Sequence, residues 1–318
     1  MILGAGAMGS VYGAFLSRAG NDVWLLDRWA EHMDAIDRVG LNVTGASGDW
    51  QAFPRATTNA GDVGPCDLVI VAVKGPDLAE AMQTVPDLRG QDGAVLSIQN
   101  GLGAEQQLLG VVPKNAGFVG IAGGFGASIP EPGHVHHNGT ELVSLAPLSK
   151  EVLPRAEAIA QVWTEAGFRA MAVTDAQRMI WSKLICNAAF SATCCVTGLR
   201  IGQVLQDDNA FSLAAKCATE ATEVARALGV DLEIPDPPDY VRRFGERIPG
   251  AMPSLLLDRM AGRRGEIDFI NGAVAAEARR ASVPAPVNSA LAELIRAMEA
   301  HDPRVKNCHI PEGSMAVS

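Results

Sequence analysis

The sequence predicts an α/β domain of the Rossmann type with a mainly parallel sheet, followed by a domain built only of helices. Three observations support this prediction. A glycine-rich loop follows the apolar start of the chain, and short β-branched runs alternate with helix-length segments as far as about residue 125, a pattern typical of βα units. Beyond about residue 174 the pattern changes to long helical segments. We therefore predict a first domain over 1–173 and a second over 174–318.

Length and composition fit a folded protein of two domains and restrict its partners. The chain has 318 residues, of which 48% are hydrophobic and 19% charged, as in globular proteins. A net charge of −10 and the scattering of Lys and Arg argue against nucleic acid or an anionic membrane as a partner. The six cysteines include no CxxC pair, and no uncharged stretch reaches the roughly 18 residues of a membrane-spanning helix. We therefore expect a cytoplasmic protein with reduced thiols.

The individual elements follow from hydrophobic patterning and from turn residues. Apolar runs predict strands at Asp22–Asp27, Asp67–Lys74, Ala94–Asn100 and Ala116–Ile121. A stretch rich in Gly, Pro and His, Gly123–Asn138, predicts a loop and a hairpin. After it we expect a strand at Glu141–Leu145, a helix at Pro154–Glu165 and a last strand at Phe168–Val173. In the helical domain, dense proline and charge predict a break at Ile234–Pro253.

The first candidate site is the loop between the first strand and the first helix. It has the GxGxxG spacing, and we expect Gly4, Gly6, Ala7, Met8 and Gly9 to bind a dinucleotide, NAD(P)(H). The first glycine makes the turn, the second lets backbone amides approach the pyrophosphate, and the third lets the helix pack on the strand. The helix N-terminus adds a partial positive charge. The alternative is a set of ordinary tight-turn glycines.

Four further polar residues stand at the ends of predicted strands. Asp27 closes the second strand, where a carboxylate accepts hydrogen bonds from the adenosine ribose, and Arg28 follows it. Lys74 and Asn100 end two later strands, whose carboxyl ends face the ligand crevice of an open α/β sheet. We therefore expect both to reach the nicotinamide half of the cofactor or the substrate. The alternatives are surface charges and turn residues.

A polar stripe lies on the first helix of the second domain. Thr174 and Gln177 have the spacing of a capping box that would start this helix. On it Lys183, Asn187 and Ser191 are spaced four residues apart, and each such step drifts only about 40° around the helix. Because their neighbours are apolar, we expect the stripe to line a cleft. The alternative is a solvated helix face with an exposed lysine.

Two further groups of polar residues have good structural explanations. Glu266 follows Gly265 and opens a predicted helix, where an acidic residue stabilises the macrodipole without any other role. His134, His136 and His137 lie close together, but no Cys or carboxylate completes a familiar metal spacing. We therefore expect a polar hairpin there and no metal.

Five motifs, in order and over nearly the whole chain, resemble those of the ketopantoate reductases, the 2-dehydropantoate 2-reductases. They are GAGAMG (4–9), VAVKGPD (71–77), QNGLG (99–103), WSKLICN (181–187), and Ser254 followed by EIDFING (266–272). The resemblance implies a Rossmann domain, a helical domain like that of the 6-phosphogluconate dehydrogenases, and a substrate cleft between them. It also implies NAD(P)H-dependent reduction of ketopantoate, a 2-oxo acid, to a 2-hydroxy acid, and a homodimer.

The same resemblance implies a role for each polar candidate. Lys183 would be the general acid, and Asn100 would hold the lysine and the carbonyl oxygen in place. Lys74 would lie near the cofactor. Asn187, Ser254 and Glu266 would bind the hydroxyl and carboxylate groups of the substrate. Glu266 would also be a catalytic residue, together with Lys183 and Asn100.

Other positions depart from the family pattern. Ser191 stands where the family usually has a second asparagine that binds the substrate hydroxyl, and Ala251–Pro253 is less polar than in pantoate-forming members. The family mostly uses NADPH and has a small or apolar residue where this chain has Asp27, before the arginine that matches Arg28. We therefore expect a ketopantoate reductase or a paralogue with a shifted substrate, for which ketopantoate is a poor substrate or not the best one. We also expect it to favour NAD(H) over NADP(H).

Two other classes of protein share the two-domain plan or the glycine loop. An opine-type or imine-reducing dehydrogenase would require an amine for turnover. A non-catalytic NAD(P)-binding redox sensor would need the glycine loop but no acid, so Lys183, Asn187 and Glu266 argue against it.

Overall fold

The computed structural model describes residues 1–124, 126–139 and 142–305. The chain divides into two compact units, Met1–Lys183 and Leu184–Ser318. The predicted fold class is confirmed, because the first unit is an α/β domain and the described part of the second is helical. The division into units falls inside one helix, about ten residues beyond the expected domain boundary at 174, and that boundary stays a prediction.

The described residues form twelve strands, all of them in the first unit. They are β1 (Ile2–Leu3), β2 (Trp24–Leu26), β3 (Leu41–Gly45), β4 (Trp50–Ala52), β5 (Arg55–Thr57), β6 (Cys66–Val71), β7 (Arg89–Ser97), β8 (Gly117–Gly123), β9 (Gly126–Glu131), β10 (His134–Gly139), β11 (Leu142–Pro147) and β12 (Ala170–Ala172). The strands predicted from apolar runs are therefore present, shifted by a few residues. Glu141, where one of them was expected to begin, lies outside the described residues.

The described α-helices alternate with strands in the first unit and follow one another in the second. They are α1 (Ala7–Arg18), α2 (Ala30–Val39), α3 (Leu78–Leu88), α4 (Ala104–Val111), α5 (Leu153–Glu165), α6 (Ala176–Thr197), α7 (Ile201–Gln206), α8 (Asp208–Ala227), α9 (Pro237–Arg247), α10 (Ser254–Met260), α11 (Asn271–Ala281) and α12 (Pro286–His301). Helix α6 contains the last residues of the first unit and the first of the second.

Eight strands form one sheet in the order β12-β11-β8-β7-β6-β1-β2-β5. Every neighbouring pair except β8 and β11 is parallel. Ile2 of β1 lies opposite Leu25 of β2 and Ile70 of β6, and all three are buried, as expected for the centre of a parallel sheet. Because these strands are parallel, β2, β1, β6, β7 and β8 end at the same edge, called here the carboxyl edge.

Both faces of this sheet are covered. Helices α1 and α5 contribute to the core on one face, where Tyr12, Phe15, Trp163 and Phe168 pack edge-to-face or tilted. Helices α3 and α4 contribute to the core on the other face. A second sheet, β4-β3-β10-β9, packs against α1. The expected hairpin within Gly123–Asn138 is confirmed as β9 and β10, whereas β3, β4 and β5 were not predicted.

The predicted capping box at the start of α6 is wrong. The N-cap is Asp175, whose Oδ1 accepts the backbone N–H of Arg178 at 2.9 Å. Thr174 lies one residue too early, and the side chain of Gln177 donates to Glu105 instead of returning to the cap. Thr174 and Asp175 are both good capping residues, so local chemistry alone did not distinguish them.

Two predictions for the helical domain also need correction. The expected break at Ile234–Pro253 contains α9, because Asp236 caps it through the N–H of Asp239 (3.0 Å) and Pro237 occupies the first turn, where its missing N–H costs nothing. Glu266 does not open an α-helix. It precedes one 3₁₀ turn, Ile267–Phe269, and α11 starts only after that.

The second unit has a core of its own in which α8 packs against α9, α11 and α12. Two buried amides join these helices: Asn271 Nδ2 donates to Asn288 Oδ1 at 2.9 Å, and Asn288 Nδ2 donates to Cys217 O at 3.2 Å. Among the described residues, α6 is the one helix long and apolar enough to cross a membrane, and 72% of its apolar window is buried inside the protein. The core helix of a folded domain meets the same criterion.

Candidate active site

The glycine loop joins β1 to α1 at the carboxyl edge. Gly4 has φ +98°, and a Cβ there would lie 2.7 Å from the backbone nitrogen of Val73. A Cβ at Gly9 would overlap the carbonyl oxygen of Gly4. The two glycines therefore serve the turn and the close packing of helix on strand, as the motif predicts.

Gly6 serves a different purpose. It is exposed and has φ −64°, which any residue tolerates, and a Cβ built on it meets no described atom within 4 Å. It is also the N-cap of α1, whose first turn carries no acidic residue. Open space beside the N–H groups of a helix N-terminus fits the pyrophosphate of a dinucleotide. A methyl group at this position would fill that space.

A chain of buried groups ties the glycine loop to α2 and to the second sheet. Gly133 N donates to His32 Nδ1 at 2.9 Å, so the proton of the neutral ring lies on Nε2, 3.1 Å from Ser10 Oγ. Ser10 Oγ donates in turn to the carbonyl oxygen of Ala5, inside the loop, at 2.9 Å. Burial lowers the pKa of His32, and the charge of Asp27 opposes this shift. We call these groups the His32 chain.

Two charged residues with defined contacts follow β2. Asp27 is half-buried, and its Oδ1 accepts the backbone N–H of Trp29 at 3.0 Å. Arg28 is exposed, and its Nη2 lies 2.7 Å from Asp77 Oδ1 while its Nη1 lies 3.2 Å from Glu80 Oε2. The guanidinium is therefore held by two carboxylates at the start of α3. These contacts raise the pKa of Arg28 further.

Polar residues also follow β6, β7 and β8 at the carboxyl edge. Lys74 lies three residues beyond β6, and Asn100 three residues beyond β7. Between these strands Gln99 Nε2 donates to Val71 O at 2.7 Å, which fixes the start of the loop that carries Asn100. Lys183, half-buried on α6, donates from Nζ to the carbonyl oxygen of Ala122, near the end of β8, at 2.6 Å. The structure thus brings Lys183, Asn100 and Lys74 to the ends of three neighbouring strands.

In the second unit the polar stripe of α6 is not a solvated face. Asn187 is half-buried and Ser191 is only 4% exposed. Glu266 is a buried carboxylate, 7% exposed, and such groups are rarely buried without partners. Ser254 is exposed and begins α10. The alternative for Glu266, a first-turn residue that stabilises the macrodipole of an α-helix, does not fit its place before a 3₁₀ turn.

Two contacts join the segments of the second unit that carry these substrate candidates, and a third ties one of the segments to α12. Asn271, five residues after Glu266, donates to Ala188 O at 2.9 Å and so holds its segment beside α6. A Cβ at Gly265 would overlap the side chain of Leu255, so the residues before Glu266 lie against the start of α10. Gly265 N also donates to Glu299 Oε1 at 2.9 Å. Burial raises the pKa of Glu299, and the hydrogen bond from Gly265 opposes this shift.

Sequence reasoning missed five residues that hold these candidates in place: Ser10, His32, Asp77, Glu80 and Glu299. Only one of them had a local signal. Ser10 directly follows the GxGxxG motif, at a buried position of α1. The others meet their partners through the fold, as the bonds from Arg28 to residues 49 and 52 positions away illustrate.

The histidine-rich hairpin has a structural explanation. Thr44 Oγ1 lies 2.9 Å from His134 Nε2 and 3.1 Å from His136 Nδ1, across the parallel pairing of β3 and β10. His137 is buried, and burial lowers its pKa. Within the described ranges, no group of three or more His, Cys, Asp or Glu side chains is placed to hold a metal ion.

Comparison with known proteins identifies the family. Residues 1–150 match the family model described as "Ketopantoate reductase PanE/ApbA", and residues 175–299 match its C-terminal counterpart. A 2-dehydropantoate 2-reductase of Pyrococcus abyssi is 31% identical over 301 residues, which cover 94% of this chain and 97% of the relative.

Solved structures agree. A PanE/ApbA family ketopantoate reductase from Ralstonia eutropha JMP134 matches with a TM-score of 0.84 and 30% identity, over 95% of this chain and 98% of that one. A D-mandelate dehydrogenase in complex with NADH and anilino(oxo)acetate matches with a TM-score of 0.89 and 28% identity, over 96% and 99%. The chain therefore belongs to the ketopantoate reductase family, and with it to the NAD(P)-dependent oxidoreductases that act on a CH–OH group.

Proposed function

We propose that this enzyme reduces a 2-oxo acid to the corresponding 2-hydroxy acid at the carboxyl edge of its parallel sheet. The observation that carries the proposal is the hydrogen bond from Lys183 Nζ to Ala122 O, which holds a cation at the end of β8. The glycine loop and Asn100 lie at the same edge, after β1 and β7. Open parallel sheets bind their ligands at this edge.

The proposed chemistry assigns the proton to Lys183. A bound nicotinamide dinucleotide supplies a hydride to the carbonyl carbon of the substrate. The carbonyl oxygen then gains negative charge, and the Lys183 ammonium stabilises that charge and delivers the proton. Asn100 orients the carbonyl oxygen and the lysine, and Lys74 contacts the dinucleotide. These roles rest on the family resemblance and on the positions of the three side chains after neighbouring strands.

We assign recognition of the substrate's polar groups to residues of the second unit. Asn187 and Ser254 carry N–H and O–H donors suited to a substrate carboxylate. Glu266 carries only acceptors when ionised, which suits a substrate hydroxyl. The position of Glu266 supports this role, because Asn271, five residues later, holds the same segment beside α6, which carries Asn187.

We further propose that ketopantoate is not the preferred substrate. Ser191 replaces an amide that would bind a substrate hydroxyl, and Ala251–Pro253 lowers the polarity before Ser254. A pocket that lacks those hydrogen bonds loses most of its discrimination for a hydroxylated acid. The similarity to a D-mandelate dehydrogenase supports a 2-oxo acid with an apolar substituent, because mandelate is a 2-hydroxy acid that carries a phenyl group.

For the cofactor we propose a preference for NAD(H). Asp27 follows β2, next to the strand that ends in the glycine loop, and its carboxylate can accept hydrogen bonds from the ribose hydroxyls. A 2′-phosphate would bring negative charge close to that carboxylate. Two like charges about 4 Å apart repel by roughly 1 kcal/mol in water, or about fivefold in Kd. The repulsion is stronger at lower dielectric, so we expect NADP(H) to bind at least about tenfold more weakly.

The experiment that tests this function is steady-state kinetics with NADH and NADPH against a panel of 2-oxo acids that includes ketopantoate and benzoylformate. The reverse reaction is measured with the matching 2-hydroxy acids. We expect amine-independent turnover, a higher kcat/KM with NADH, and a higher kcat/KM for another acid than for ketopantoate. An absolute requirement for an amine would indicate an imine-reducing enzyme. A kcat/KM for ketopantoate above that of every other acid would contradict the proposed substrate shift.

A further inference from the structure

We propose that Asp77 and Glu80 are specificity-determining residues for the cofactor, which exclude 2′-phosphorylated dinucleotides by keeping the guanidinium of Arg28 engaged. This inference rests on the proposed binding of NAD(P)(H) at the glycine loop. It adds to the role of Asp27, because it explains why an arginine beside the ribose site does not bind a 2′-phosphate.

The geometry of Arg28 carries the inference. Its Nη2 donates to Asp77 Oδ1 at 2.7 Å and its Nη1 donates to Glu80 Oε2 at 3.2 Å, so both terminal nitrogens are bound to carboxylates. A bidentate grip on a phosphate uses the same fork of N–H groups. Arg28 therefore has to leave at least one carboxylate before it can bind a phosphate in this way.

The two carboxylates are held in place by their own element. Asp77 is the N-cap of α3, and Glu80 lies in its first turn. Negative charge is stabilised at a helix N-terminus, so both side chains have a reason to stay there without Arg28. In the sheet order β6-β1-β2, the strand that ends in the glycine loop lies between the strand before α3 and the strand before Arg28. The bridge therefore joins the two sides of the expected dinucleotide site.

The net negative charge around Arg28 also disfavours a 2′-phosphate. Three carboxylates, those of Asp27, Asp77 and Glu80, influence the single guanidinium of Arg28 electrostatically. A phosphate monoester adds between about −1.5 and −2 charges at neutral pH. NAD(H) brings no such group to the ribose. Lys74, which belongs to the connection between β6 and α3, adds one positive charge and leaves the carboxylates in excess.

The test measures binding of NADH and NADPH separately by isothermal titration calorimetry, without any 2-oxo acid. The variant Asp77→Asn/Glu80→Gln removes both charges with little change of shape. The matched control is Asp22→Asn, which removes the carboxylate of another exposed ion pair, that of Asp22 with Arg55. This pair lies where β2 and β5 begin, at the edge of the sheet opposite to the carboxyl edge. We expect the ratio of the Kd for NADPH to the Kd for NADH to fall about five- to tenfold in the double variant and to stay unchanged in the control.

Arg28→Ala separates the mechanism from a general charge effect. In the Asp77→Asn/Glu80→Gln background, Arg28→Ala is expected to abolish the gain in NADPH affinity. A ratio that changes less than about twofold in the double variant, or a gain that persists without Arg28, overturns the inference. If the native protein binds neither dinucleotide, the proposed function fails as well. If it binds NADPH more tightly than NADH, this inference and the proposed cofactor preference both fail, while the proposed reduction of a 2-oxo acid stands.

Discussion

At the scale of single residues, Lys183 is the proposed general acid. Its side chain is half-buried on α6, and its Nζ is directed by the 2.6 Å bond to Ala122 O. We predict that Lys183→Ala lowers kcat by about 10²- to 10⁴-fold, the usual contribution of a general acid. The Kd for NADH, measured by calorimetry, should change little because the glycine loop is untouched. Lys216→Ala, on an exposed position of α8, is the control. A loss of kcat below about threefold would show that another group delivers the proton.

His32 predicts how stability depends on pH. Burial lowers its pKa below 6.5 in the folded state, so the unfolded chain binds more protons as the pH falls. Its contribution to stability is therefore fully present above pH 6.5 and is lost as the pH falls through the lowered pKa. Protonation would also place a hydrogen on Nδ1, which now accepts the Gly133 N–H. Burial lowers the pKa of His137 as well, and this histidine acts in the same direction.

His32→Gln tests this pH dependence, because an amide does not titrate. The free energy of unfolding, measured with urea between about pH 5 and 8, should be lower in the variant by roughly 1–3 kcal/mol at pH 7, the cost of disturbing a buried hydrogen bond. We expect this difference to shrink as the pH falls below 6.5. Parallel pH profiles for the two proteins would show that His32 does not titrate in this range.

At the scale of elements, the loop between β1 and α1 contains one glycine expected to serve ligand binding, Gly6, and another needed for folding, Gly9. A Cβ at Gly6 meets no described atom within 4 Å, whereas a Cβ at Gly9 overlaps the Gly4 carbonyl. Gly6→Ala should therefore fold normally and bind NADH at least about tenfold more weakly, because its methyl group fills the pyrophosphate space. Gly9→Ala should lower the free energy of unfolding by about 1–3 kcal/mol or more through overpacking. Equal effects of both variants on unfolding temperature and NADH affinity would contradict this division.

The elements predicted from sequence were those with strong local patterns. Apolar runs located most strands of the eight-stranded sheet, though not β5, and the change to long helical segments near residue 174 predicted a helix where α6 lies. Strands β3, β4 and β5 are three to five residues long, and β3 pairs with β10, far away in sequence. Such pairing depends on tertiary contacts that a local pattern does not contain. Helix α9 was missed because a local signal was misinterpreted. The proline in its first turn was taken as a helix breaker, although proline is favourable at that position.

The same limit applies to the candidate site. Gly4, Gly6 and Gly9 form a contiguous motif with a known mechanism, and their positions agree with it. The pairing of Arg28 with Asp77 and Glu80 joins residues 49 and 52 positions apart, so neither partner was predicted. The burial of Glu266 was also hidden, because an acidic residue near a helix start is ordinarily exposed.

At the scale of the whole molecule, ligand binding and folding should be linked. A dinucleotide that binds only the folded first unit stabilises it by about 2.7 kcal/mol at a hundredfold excess over its Kd. We predict that NADH raises the unfolding temperature of the full chain and that Gly6→Ala removes about half of this rise or more at the same NADH concentration. The measurement is differential scanning calorimetry, with AMP as the control ligand. An equal rise in the variant would show that NADH binds away from the glycine loop.

The His32 chain links the glycine loop to the second sheet, and this link has a consequence for local opening. The Gly133 amide bonded to His32 lies at the turn between β9 and β10, so this turn is held from inside the dinucleotide-binding unit. Opening of the turn should therefore be coupled energetically to loss of the hydrogen bond to the Ala5 carbonyl. Because such coupling is reciprocal, a ligand that stabilises the glycine loop should also stabilise the turn. In amide hydrogen–deuterium exchange, NADH should slow exchange at Gly133 and along β10 as well as in the loop. His32→Gln should confine the protection to the loop, although it leaves every residue of the glycine motif unchanged.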